Sequence, residues 1–222
     1  MASVVGTTIE FYDFYIYATA AVSVFPLIFF PGDDAQIALL ASMATFGAAF
    51  VARPLGSIIF GHMGDRLGRK VTLIGALLTM GIATFIIGLL PTYFQIGLWA
   101  PAMLTLMRFC QGLGLGGEWS GAALLVTETA KPGKRASAAM WPQLGAPFGF
   151  LLANGFFLVL TLAFGYDSSA DGRDHVFIDW VWRVPFLASI VMVAIGLWVR
   201  VSLEETPVFK QAIQKDQRVK AP

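Results

Sequence analysis

What most limits the folds open to this chain is the length of its apolar runs. Crossing a hydrocarbon core about 30 Å thick takes roughly 20 mostly apolar helical residues. About six such segments follow one another, near residues 5–30, 37–60, 71–92, 96–124, 139–163 and 181–201. In lipid the backbone must satisfy its own polar groups, so runs of this length predict helices and exclude an open sheet. The chain is 57% hydrophobic and 13% charged, against about 45–50% and 25% in a soluble domain. It is therefore expected to be an all-α membrane protein with six transmembrane helices and both ends on one side of the bilayer.

The connections are short and their charge is sorted. They are "PGDDAQ" at 31–36, "GHMGDRLGRK" at 61–70, a turn around Pro91, "ETAKPGKRAS" at 128–137 and "GYDSSADGRDHVFID" at 165–179. Arg66, Arg69, Lys70, Lys131, Lys134 and Arg135, with Lys210, Lys215, Arg218 and Lys220, fall on one side; Arg173 and the boundary residue Arg183 fall on the other. The positive-inside rule makes the first side cytoplasmic, which implies a multi-pass protein of the plasma membrane. Trp99, Trp141, Trp180, Trp182 and Trp198 lie near expected span ends, where interfacial indoles belong. Residues 1–12 contain Glu10 and no Lys or Arg, so a cleavable signal peptide does not fit and the first run is expected to be a retained span.

Other classes are disfavoured. A net charge of +1 gives no reason to expect nucleic acid as a partner. His62 and His175 lack ligand spacing, so no metal is expected, and no cofactor motif is present. Cys110, the only cysteine, has no disulfide partner within the chain and reads as a small buried hydrophobe. An intramembrane enzyme would need a nucleophile and base at depth; Glu10 and Asp13 are too little for that.

Charges at membrane depth are the functional candidates. Glu10 and Asp13 share a face of the first span, Arg53 lies in the second, and Arg108 and Glu118 lie in the fourth. Each costs about 2.5–3.5 kcal/mol at a helix centre, so such residues face the bundle interior or water. The alternatives are a buried structural pair or, for Glu10 and Asp13, hydration near the cytoplasmic end. Arg108 shares a face with Gln111 and Gly112, and Gly112, Gly116 and Ser120 form a small-residue ridge suited to close helix packing. Glu118 sits about 80° around the helix from Arg108, so the two are not expected to pair. In the decapeptide 61–70, glycines let two helix ends approach, and Asp65 beside Arg66 and Arg69 reads as a switchable ion pair. Glu128 is placed either to meet Arg69 or to stand as a solvated terminal charge.

These residues resemble a known family. "GHMGDRLGRK" is similar to the signature turn of the major facilitator superfamily, and "RFCQG" to its proton-coupling motif in span four. More narrowly, "GTTIEFYDFYIY", "ARPLGSIIFGHMGDRLGRK", "QGLGLGGEWSGA", "WPQLGAPFGF", "WRVPF" and "EETPVF", in order and nearly end to end, resemble the metabolite:proton symporters of that superfamily. The resemblance implies alternating access by the N-terminal half of a major facilitator fold, built from two three-helix inverted repeats. Gly61, Asp65, Arg66, Gly68, Arg69, Lys70 and, opposite, Glu128 would form a cytoplasmic charge relay. Glu10, Asp13, Arg53, Arg108, Gln111, Glu118 and Trp119 would line the cavity or couple the proton. Residues 1–203 would be the six-helix bundle and 204–222 the start of a cytoplasmic loop leading to a C-terminal six-span half. The partners implied are a small polar or anionic metabolite, protons, the lipid bilayer and that second half. The competing reading is a non-transporting membrane module, either solute sensor or assembly partner, or an inactive fragment.

Overall fold

The computed structural model describes residues 2–129, 133, 135–165 and 176–201. Six long helices coincide with the six expected spans: α1 (Ala2–Ser23), α3 (Ala35–Leu67), α4 (Arg69–Leu89), α6 (Trp99–Thr129), α8 (Gly145–Phe164) and α9 (Arg183–Val201). Short helical pieces connect them: α2 (Phe25–Ile28), α5 (Tyr93–Ile96) and α7 (Arg135–Met140), with a 3-10 turn at Trp141–Leu144 and one turn of π-helix at Phe177–Val181. Four stretches, Ala35–Leu67, Lys70–Leu89, Trp141–Phe164 and Phe177–Val201, are apolar and long enough to cross a bilayer by length and composition. The other two long helices, α1 and α6, carry most of the charges at membrane depth.

The decapeptide is not the ten-residue turn expected of it. No proline interrupts 61–67, and α3 runs helically to Leu67; Gly68 is the single residue before α4 begins at Arg69. Gly68 has φ 107° and ψ 155°, a conformation open to glycine and strained for residues with a Cβ, so the reversal needs only that residue. The Asp34 side chain caps the other end of α3, accepting from the backbone N–H groups of Gln36 and Ile37 at 2.8 and 3.3 Å.

Glycines set the helix register. A Cβ at Gly112 would strike the Ala49 backbone and one at Gly116 the Arg53 backbone, so α3 and α6 run parallel with main chains in contact. A Cβ at Gly145 would meet Thr7 and one at Gly149 the Phe11–Tyr12 backbone, which makes α1 and α8 parallel in the same way. Gly81 faces Val193 and Gly88 faces Phe186, so α4 and α9 are antiparallel. Exchanging the first three spans with the last three maps the α1–α8 contact onto α6–α3 and α4–α9 onto itself. That is the pairing pattern of two three-helix repeats.

The dry core is aromatic. Phe25, Phe29, Trp182 and Phe186 pack mostly edge to face, with centroids 5.2–6.1 Å apart. Trp182 is 0% exposed, so it belongs to this core and not to the interface expected for it; Trp99, Trp141, Trp180 and Trp198 are exposed as expected. Cys110 is half-buried instead of buried. Leu40, Leu151, Leu158 and Leu162 stand exposed on the outer faces, as a chain solvated by lipid requires.

Candidate functional site

A polar chain crosses the centre of the bundle. Helix α1 carries Glu10 and Asp13 one turn apart, and both are buried, 2% and 1% exposed. From α6 the Arg108 Nη1 donates to Gln111 Oε1 at 3.0 Å, and Gln111 Nε2 donates to Thr84 Oγ1 of α4 at 2.7 Å. Thr84 Oγ1 in turn donates to the Met80 carbonyl at 3.0 Å. One ligature of three residues thus joins two helices around an arginine buried to 2% exposure.

Aromatic faces receive the Arg108 charge. Its guanidinium carbon lies 4.0 Å from the Tyr17 ring centroid, 4.5 Å from Phe46 and 5.3 Å from Phe14, a cation–π arrangement that gains strength away from water. The Tyr17 hydroxyl and Thr45 Oγ1 share a hydrogen bond of 2.5 Å, and Thr45 Oγ1 is 2.6 Å from the Ser42 carbonyl, so this cage is itself held rigid.

Asp13 and Arg108 line one small cavity with Glu10, Gln111 and Gly112, of about 10 Å³, the room of a single water. Both carboxylate oxygens of Asp13, Glu10 Oε2, and Arg108 Nε and Nη2 have no hydrogen-bond partner. Buried polar atoms left open in this way are rare and call for an explanation. Here the open atoms belong to two carboxyl groups and a guanidinium around a cavity with room for one water.

Glu10 also borders a second, open space. A cleft of about 600 Å³ is lined by Glu10, Phe11, Phe14, Arg53, Ser57 and Gly116. Arg53 reaches over Phe50 at 4.7 Å and Phe14 at 5.7 Å, and its Nε has no partner. Glu10 thereby lines both the small cavity and this larger cleft.

The residues expected to form a cytoplasmic charge relay lie away from this centre as far as they are described. Asp65 and Arg66 are exposed on the last turn of α3, Gly61 lies inside that helix, and Gly68 supplies the reversal. Lys70 Nζ donates to the Val201 carbonyl at 2.5 Å, tying α4 to the end of α9. The side chains of Arg69, Glu118, Trp119 and Glu128 lie outside the described residues, as does the segment 204–222. Sequence reasoning missed Arg200, which is buried and donates to the Leu73 carbonyl, and the caging residues Tyr17, Phe46, Thr45 and Thr84. Their only signal was a polar or aromatic residue inside an apolar run.

The family model described as "Sugar (and other) transporter" matches residues 1–221. The chain belongs to that transporter family. An inner membrane metabolite transport protein, YhjE, of Escherichia coli is 60% identical over all of this chain and 49% of its own length. The shikimate transporter of the same organism is 44% identical over 95% of this chain and 46% of its own. Among solved structures, the proton:xylose symporter XylE of the major facilitator superfamily matches with TM-score 0.76 at 16% identity, covering 97% of this chain and 46% of that one. The transporter-family chain therefore spans about half the length of the curated relatives it matches. It is a membrane-embedded, multi-pass protein with the six-helix architecture of a major facilitator N-terminal half, and these relatives are transporters, not enzymes.

Proposed function

We propose that this chain is the N-terminal half of a proton-coupled symporter that moves a small polar or anionic metabolite by alternating access across the bacterial inner membrane, both ends of the chain cytoplasmic. The observation that carries the reading is Asp13, buried with both oxygens unpaired beside the caged Arg108, next to a Glu10 that borders an open cleft. Asp13 takes the proton, Arg108 stabilises the ionised state, and Glu10 and Arg53 pass the change in charge to solute in the cleft. The second wall of the cleft comes from a C-terminal six-span half. Asp65, Arg66, Arg69, Lys70 and Glu128, hinged at Gly61 and Gly68, make and break the cytoplasmic closure, while Gln111, Glu118 and Trp119 complete the inner wall. A proton entering down 100 mV supplies about 2.3 kcal/mol, enough to concentrate a neutral solute about fiftyfold; a monoanion moving with one proton carries no net charge and is driven by the pH gradient instead.

The test joins this chain to the C-terminal half of the 60%-identical relative and reconstitutes the product in liposomes containing a pH-sensitive dye. Metabolites offered in turn, shikimate first because one relative transports it, are expected to carry protons inward, and a protonophore to abolish accumulation. Accumulation that survives the protonophore removes proton coupling. Solute binding without any uptake favours the non-transporting module.

A further inference from the structure

At the end of the bundle away from Gly68 lies a cleft of about 750 Å³ between the α4–α5 turn and the start of α9. Its floor is Leu27, Ile28 and Leu187, and its polar residues include Asp179 and Arg183. Helix α4 from Lys70 to Leu89 is 20 residues long, about 30 Å at 1.5 Å per residue, so this end sits at the level where lipid headgroups begin. Phe94 and Trp180, each 60% exposed, border the cleft as aromatics at that level do.

Arg183 is pre-aimed. Its Nη1 donates to the Gly88 carbonyl at 2.9 Å and the Leu90 carbonyl at 2.8 Å, which fixes the fork against the end of α4. The guanidinium carbon stacks 4.7 Å from the Trp182 ring. Among the described residues no carboxylate pairs with it, and both of its hydrogen bonds to them come from Nη1, so a half-buried cation lines the cleft. Asp179, exposed on the π-helical turn four residues earlier, supplies a negative charge on the same wall.

We propose that this cleft holds the headgroup of a zwitterionic phospholipid, its phosphodiester on Arg183 and its ammonium on Asp179, with an acyl chain over Leu27 and Leu187. A guanidinium fork suits phosphate oxygens, and the apolar floor has no use for a wholly soluble ligand. Nothing in the transport reading requires or assigns such a site.

The 222-residue chain is purified in detergent and titrated with phosphatidylethanolamine and phosphatidylglycerol, bound lipid being counted by native mass spectrometry, with free phosphoethanolamine as a third ligand. Phosphatidylethanolamine is expected to bind about tenfold tighter than phosphatidylglycerol, the effect of one charge-assisted contact. Arg183→Gln is expected to lower binding of both lipids about tenfold. Because Arg183 also caps α4, Asp179→Asn serves as the variant that leaves the fold alone; it should erase the preference between the two lipids. Equal binding of both lipids by the unchanged chain, an unaltered preference in Asp179→Asn, or phosphoethanolamine binding as tightly as the lipid would each overturn the proposal.

Discussion

A guanidinium in the middle of a bilayer protein is tolerated when something replaces its water. For Arg108 the replacements are one amide oxygen and three ring faces, and the neighbouring Asp13 carboxylate supplies the opposite charge without touching it. Removing one member of such a pair leaves the other stranded, a loss of about 3–5 kcal/mol. Arg108→Gln alone is therefore expected to be strongly destabilising, and adding Asp13→Asn should restore about 1–3 kcal/mol of it. Thermal unfolding of the two single variants and the double variant in detergent checks this; additive losses would mean the pair does not interact. Glu10, Asp13 and Arg108 were legible in the sequence because charge inside an apolar run is costly and so conspicuous, and Gln111 because it follows Arg108 on the same helix face. Thr84 and Thr45 were not, since a helical threonine ordinarily bonds back to its own helix, and Thr84 does so while also serving Gln111. Arg200 stands so near a span end that a long side chain would be expected to reach the headgroups, yet it turns inward to Leu73.

Helices meet in this bundle where side chains are missing. The Gly112–Gly116 step of the predicted ridge does lie on α3, and a matching pair, Gly145 and Gly149, brings α8 onto α1. The second pair is harder to read in sequence because "GAPFG" carries a proline between its glycines and looks like a span start; both pairs share the four-residue spacing that keeps one helix face bare. A Cβ at Gly112 meets backbone atoms of Ala49, which cannot rotate away, so the helices must part. Gly112→Val is expected to destabilise by about 3 kcal/mol, a fall of roughly 2–4 °C in Tm for each kcal/mol. Gly47, where an added Cβ would have nothing within 4 Å, provides the control: Gly47→Ala should be neutral or stabilise by about 0.5–1 kcal/mol. Equal effects of the two would show that close approach is not what Gly112 provides. The helix ends were less legible than the helices. Charge in "GHMGDRL" suggested a loop, but charged residues are good helix formers, and it is the conformation of Gly68 that stops α3.

At the scale of the molecule, length and charge act together. Helix α3 has 33 residues and α6 has 31, about 50 and 46 Å at 1.5 Å per residue, well beyond a core of about 30 Å. The two run parallel and level with one another, so their C-terminal ends lie together at the end where Arg66 and Lys70 lie. That end also fastens α4 to α9 through Lys70 and Arg200, while Arg183 fastens the same two helices at the opposite end. Held at both ends, the α4–α9 pair is a rib beside which α1 and α6 carry the buried polar residues. The basic end should be the one retained in the cytoplasm, whereas Asp33 and Asp34, exposed before α3, should face outward. With Cys110 replaced by alanine, a membrane-impermeant maleimide applied to intact spheroplasts is expected to label Asp33→Cys. It should label Leu67→Cys only after permeabilisation, since that exposed residue adjoins the basic reversal. Labelling of Leu67→Cys in sealed cells would invert the molecule, and with it the side on which the proposed closure by Asp65 and its neighbours would act.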